Sequence, residues 1–95
     1  MFGGGNDTEA IKEYLEKGAF VLDVRTPAEW AEGHVKDSKL ISLNDIPHSL
    51  EKIKAWNKPV IVVCRSGGRA GTALNYLKQA GIDVINGGSW QNADI

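Results

Sequence analysis

The sequence predicts an α/β domain built on a central, mainly parallel sheet of four to five strands, with helices on both faces. Three observations carry this. Short apolar, β-branched runs alternate four times with segments of helical character, the order that builds parallel sheets. The connections between runs are long enough for right-handed crossovers. The run Val60-Ile61-Val62-Val63-Cys64 places four β-branched residues in succession, as a strand covered on both faces requires.

Taken in order, Met1–Asn6 is glycine-rich and is expected to be a flexible lead, with residues 7–95 forming the domain. Asn6 or Asp7 can cap a helix running through Lys17. Ile11, Tyr14 and Leu15 share one face of it, and Gly18 is its stop. Ala19–Val24 is a buried strand broken only by Asp23. Thr26-Pro27-Ala28-Glu29 combines a capping box with proline in the first helical position and predicts a short helix ending near Gly33.

Lys39–Leu43 is a second strand. Asn44 or Asp45 then caps a helix that turns Ile46, Leu50 and Ile53 inward, with Pro47 in its first turn, where the missing N–H does no harm. After the Val60–Cys64 strand, Ala70, Ala73, Leu74 and Leu77 mark a helix that stops at Gly81. Asp83–Asn86 is the fourth strand, and Gly87-Gly88 turns the chain away from it.

Composition narrows the function. The net charge of −1 over 95 residues gives no electrostatic reason to expect nucleic acid or an anionic membrane as partner. No apolar run reaches the roughly 18 residues of a membrane span, and the first residues lack the basic and apolar regions of a signal peptide, so a cytoplasmic protein is expected. A lone cysteine can form no internal disulfide and no Cys-rich metal site; no metal and no organic cofactor is implied. Such a cysteine is ordinarily a small buried hydrophobe, and only its context argues otherwise.

That context is specific. Cys64 ends the central strand, and active sites of open α/β sheets lie at the carboxyl ends of strands. Arg65-Ser66-Gly67-Gly68-Arg69 follows, and then a helix begins. The amides of such a loop can form an anion-binding nest, to which the helix N-terminus adds about half a positive charge. Cys64 is therefore expected to react as a thiolate nucleophile. Gly67 and Gly68 would let the backbone curl close to a ligand. Arg65 and Arg69 supply cations, Arg69 placed to bridge an oxyanion with its planar fork, and Ser66 can donate one hydroxyl hydrogen bond.

Cys64-Arg65-Ser66-Gly67-Gly68-Arg69 closely resembles the active-site loop of rhodanese domains. Asp23-Val24-Arg25-Thr26-Pro27-Ala28-Glu29-Trp30 through Gly33-His34-Val35 is similar to the family's upstream signature, and Gly87-Gly88 with Trp90 to its closing one. The three matches lie in the family's order and span about Phe20 to Trp90. The resemblance implies a three-layer rhodanese-like domain, with Cys64 as sulfur acceptor and donor and Arg65, Ser66, Gly67, Gly68 and Arg69 as the substrate-binding loop. Asp23 and Arg25 match mainly structural positions, with direct substrate contact the lesser reading. Glu29, Trp30 and His34 are read as packing and capping residues.

The implied activity is transfer of sulfane sulfur from thiosulfate or a related small anionic donor to cyanide, a thiol or a protein cysteine, through a Cys64 persulfide, by a monomer. Two alternatives stand beside it. One is a non-catalytic binding or regulatory module of the same fold, against which the retained Cys64 and basic loop argue. The other is a cysteine-dependent phosphatase, which would need its arginine six positions after the cysteine, where this chain has Ala70.

Overall fold

The computed structural model describes residues 8–95. The expected flexible lead and the cap expected at Asn6 or Asp7 lie outside the described residues. The elements are α1 (Thr8–Glu16), β1 (Phe20–Asp23), α2 (Pro27–Glu32), β2 (Lys39–Leu40), a 3₁₀ helix (Leu43–His48), α3 (Leu50–Ala55), β3 (Val60–Cys64), α4 (Gly68–Gln79), β4 (Val84–Ser89) and a closing 3₁₀ helix (Trp90–Ala93). The four strands form one parallel sheet in the order β2-β1-β3-β4.

Strand β3 is buried along its whole length, and its side chains divide the molecule into layers. Val60, Val62 and Cys64 point to one face, where Ile46, Ile53, Ala70, Ala73 and Leu77 cover them. Ile61 and Val63 point to the other, against Ile11, Val35 and Ala93, with Tyr14, Leu15 and Trp90 at the margin. The period-two alternation of an extended chain thus serves two cores at once. It is the reason every position of this strand is apolar. α3 and α4 lie on one side of the sheet and α1 on the other. None of these helices is long and apolar enough to cross a membrane.

The capping box of α2 is present. The Thr26 hydroxyl accepts from the Glu29 amide at 3.3 Å, and the Glu29 carboxylate accepts from the Thr26 amide at 3.0 Å. Three local expectations are corrected. The second strand ends at Leu40, not Leu43: Ile41 and Leu43 still donate to the carbonyls of Asp23 and Val24, but Ser42 bonds the Arg25 carbonyl at 2.8 Å and the chain bends into the 3₁₀ helix. The single helix expected after Asn44 or Asp45 is instead that 3₁₀ helix followed by α3, with Asn44, Asp45 and Pro47 inside the 3₁₀ segment. The helical segment begins at Leu43, ahead of the expected cap, so Pro47 has no N–H to give the Leu43 carbonyl and a continuous α-helix from there loses a bond.

The third correction concerns Gly87-Gly88, which stays inside β4 instead of leaving it. The pairing steps from Val62–Asn86 to Val63–Gly88, a bulge at Gly87. A Cβ at Gly87 would come within 2.8 Å of Ile61 Cγ2 and 3.0 Å of Val63 Cγ1. The glycine is there because β3 leaves no room for a side chain.

Candidate active site

The sheet order fixes where a ligand can sit. From β1 the chain crosses outward to β2, and from β3 it crosses the other way to β4. The carboxyl ends of β1 and β3 therefore flank a topological switch point, the crevice where open α/β sheets bind ligands. Both ends carry sequence-predicted residues: Asp23 and Arg25 at the end of β1, Cys64 and its loop at the end of β3.

At the end of β3, Cys64 is 1% exposed and packs at the edge of the α4-side core. Its sulfur is nonetheless held by main-chain donors. The Gly67 N–H donates to Sγ at 2.9 Å and the Ala70 N–H at 3.4 Å. The second bond follows from how α4 begins. Helices leave their first amides unpaired, and a side chain at the N-cap normally accepts one. Here the N-cap is Gly67, which has no side chain, and the strand's sulfur takes that place. Gly67 adopts φ +105°, a left-handed backbone that side-chain-bearing residues rarely take, so the loop favours glycine at this position. Gly68 differs from expectation. It has no left-handed backbone, and the space a Cβ would take is open, because it is already the first residue of the helix.

Asn86 braces the loop from β4. Its Nδ2 donates to the Gly67 carbonyl at 3.2 Å, and its Oδ1 accepts from the Gly88 amide at 2.8 Å. Arg65 and Ser66 are exposed. Arg69 is not free. Its Nη1 and Nη2 donate to the two carboxylate oxygens of Glu29 at 2.7 and 2.9 Å, a fork-to-fork pair between α4 and α2. Hydrogen bonds from Arg69, then from the Thr26 amide, hold the Glu29 carboxyl well below the usual carboxylate range. The same pair raises the already high pKa of Arg69.

At the end of β1, Asp23 and Arg25 form a buried ion pair, the side chains 0% and 4% exposed. Arg25 Nε lies 2.9 and 3.0 Å from the two Asp23 oxygens and Nη2 2.8 Å from Oδ2. The remaining donors reach the Glu29 carbonyl at 3.2 Å and the Gly33 carbonyl at 2.6 Å, and the guanidinium lies 4.9 Å from the Trp90 ring centre. With Nε, Nη1 and Nη2 all engaged, this pair is a strut that ties β1, α2 and its C-terminal end, and the closing 3₁₀ helix together. His34 stacks on Trp30 at 3.6 Å between ring centres, with Nδ1 2.8 Å from the Trp30 carbonyl oxygen, as suits a packing residue.

Sequence reasoning placed Cys64 and its loop at the end of β3 and read Asp23 and Arg25 as mainly structural. It missed Asn86 as a brace and Glu29 as the partner of Arg69, because each contact joins residues far apart in the chain: 19 positions for Asn86 with Gly67 and 40 for Glu29 with Arg69.

A family model described as "Rhodanese-like domain" matches residues 7–92. A sulfurtransferase of Allochromatium vinosum is 34% identical over 77 residues, which are 79% of this chain and 71% of that protein. Among solved structures, a rhodanese-like domain protein from Staphylococcus aureus has a TM-score of 0.76 at 32% identity, over 93% of this chain and 87% of that one. The human single-domain sulfurtransferase TSTD1 shares the fold at a TM-score of 0.72 and 20% identity, over 95% of each chain.

Proposed function

Because the chain belongs to the rhodanese-like domain family and has a relative named as a sulfurtransferase, we propose that it moves sulfane sulfur from thiosulfate or a related donor to a thiophilic acceptor through a persulfide on Cys64. The observation that supports this most is the double donation to Cys64 Sγ from Gly67 and Ala70. Those N–H groups are fixed by the start of α4 and can stabilise negative charge on sulfur without reorganising during the reaction.

The first half-reaction is attack of the Cys64 thiolate on the outer sulfur of thiosulfate. A new S–S bond forms at Cys64, the donor's S–S bond breaks, and sulfite leaves with the electron pair. In the second half, cyanide, a thiolate or a protein cysteine attacks the outer persulfide sulfur, and Cys64 leaves again as thiolate. This is covalent catalysis of ping-pong form. The amides of Gly67 and Gly68 line the cradle, Arg65 attracts the anionic donor, Ser66 offers a hydroxyl donor, and Arg69 frames the loop against α2. The same reading makes the protein a monomer working in the cytoplasm, where a lone thiol stays reduced.

A turnover assay with thiosulfate and cyanide tests this. The protein should form thiocyanate, and Cys64→Ala should form none above the uncatalysed rate. Retained turnover in Cys64→Ala removes the assignment.

A further inference from the structure

Two arginines stand in the loop that follows the cysteine, and one of them is spent. Arg69 gives both terminal nitrogens to Glu29, with side chains only 35% and 23% exposed, whereas Arg65 is exposed. The Glu29 Oε1 that accepts from Arg69 Nη1 also accepts from the amide and hydroxyl of Thr26 at 3.0 and 3.1 Å. The carboxylate therefore cannot swing away without giving up the α2 capping box as well. We infer that Glu29 is a donor-specificity residue acting through Arg69: by neutralising that guanidinium it removes one positive charge from the mouth of the Cys64 loop and sets the site against dianionic donors.

Charge counting gives the sense of the effect, and it rests on the sulfur-transfer reading. Attack of a thiolate on thiosulfate gathers three negative charges at the loop. Attack on the outer sulfur of a neutral alkyl persulfide gathers one: the Cys64–S bond forms, the donor S–S bond breaks, the proton stays on the transferred sulfur, and the donor's thiolate leaves with the electron pair. Against these stand the amides of Gly67 and Ala70, already turned to Sγ, and Arg65. A second free guanidinium would favour the first reaction far more than the second. Two hydrogen bonds hold the pair closed, and Arg69 keeps the carboxyl of Glu29 well below the usual carboxylate range, so the pair is charged at neutral pH.

The test is the ratio of kcat/KM for sulfur loading from thiosulfate to that from hydroxyethyl persulfide, at low ionic strength, in four proteins. Glu29→Gln keeps an acceptor for the capping box but loses the charge. It should raise the ratio roughly five- to tenfold, through KM for thiosulfate. Arg69→Gln, which leaves the carboxylate unpaired at the mouth, should lower it by a similar factor. The double variant restores the original charge count, so its ratio should return to within about twofold of the unmodified protein.

An unmoved ratio in Glu29→Gln overturns the inference. So does a double variant that stays as low as Arg69→Gln, because Arg69 would then grip the donor directly. Should Glu29→Gln not fold, Arg69→Gln decides the matter: a ratio that stays unmoved or rises overturns the inference. Loading of the unmodified protein by neither donor removes sulfur transfer and this inference together; loading with an unmoved ratio removes the inference alone.

Discussion

The ends of β1 and β3 lie side by side at the same edge of the sheet and are built in opposite ways. At β1 the polar groups are buried and spent on one another. Asp23 and Arg25 are almost without exposure, and the remaining Arg25 donors close on the carbonyls of Glu29 and Gly33. At β3 the loop is left with capacity. Its helix has a glycine at the N-cap, its first amides turn toward a sulfur, and Arg65 and Ser66 are exposed. One end is a satisfied ion pair, and the other turns main-chain donors to a single sulfur.

The two ends should therefore fail differently when broken. Arg25→Met leaves Asp23 as a buried, uncompensated charge and should cost about 3–5 kcal/mol in urea unfolding, enough to threaten a domain of this size. Cys64→Ala removes a small side chain whose partners are two amides. It should keep a cooperative transition, weaker by about 1–2 kcal/mol, while losing all sulfur transfer. Equal losses of stability in the two variants would erase the distinction.

Glycines sharpen the contrast by position. Gly87→Ala forces a methyl against Ile61 and Val63 and should destabilise by about 1–3 kcal/mol, with slower transfer because the bulge carries Asn86 and Gly88. Gly67→Ala should be destabilised to a similar degree by its left-handed backbone, about 1–3 kcal/mol. Gly68→Ala meets open space in a helical position and should be neutral or stabilising by up to about 1 kcal/mol. Urea melts of the three variants order them; a Gly68→Ala as damaged as Gly67→Ala would contradict the loop geometry.

The glycines also show how far local sequence reaches. Val60–Cys64 was legible to the residue because β-branched side chains bury well only as a covered strand, and the α2 capping box because its partners are three residues apart. Gly87-Gly88 carries the local signature of a turn, yet the reason for glycine lies in Ile61 and Val63 on another strand. The Lys39–Leu43 run has strand composition, but Ser42 is drawn to a carbonyl of β1's own exit, and the strand stops early. In the candidate site the contiguous loop from Cys64 to Arg69 could be read directly. The brace at Asn86 and the charge partner at Glu29 could not, because folding alone brings them to the loop.

Asn86→Ala removes both side-chain hydrogen bonds of that brace. It should cost about 1–2 kcal/mol of stability and slow sulfur loading several-fold, whereas a kcat equal to that of the unmodified protein would show that the loop holds its shape without β4. The smallest effect is expected far from the loop. Tyr14 donates to Asp83, and that bond, with burial and the Asp83 charge, pushes its pKa up to about 12. A raised pKa for an acid that is neutral when protonated stabilises the fold below the ordinary tyrosine value near 10, and that contribution is lost as pH rises through the folded value. Tyr14→Phe should cost about 1 kcal/mol or less near neutrality and leave sulfur transfer intact. Its stability should also decline less between pH 10 and pH 12.

The most direct measurement is intact and peptide-level mass spectrometry of the protein after exposure to thiosulfate, followed by cyanide. A sulfur held by the Gly67 and Ala70 amides should appear as one added sulfur atom per chain, located on the peptide containing Cys64, and should disappear on cyanide treatment as thiocyanate forms. A protein that gains no sulfur on Cys64, or gains it and will not release it to cyanide, contradicts the account.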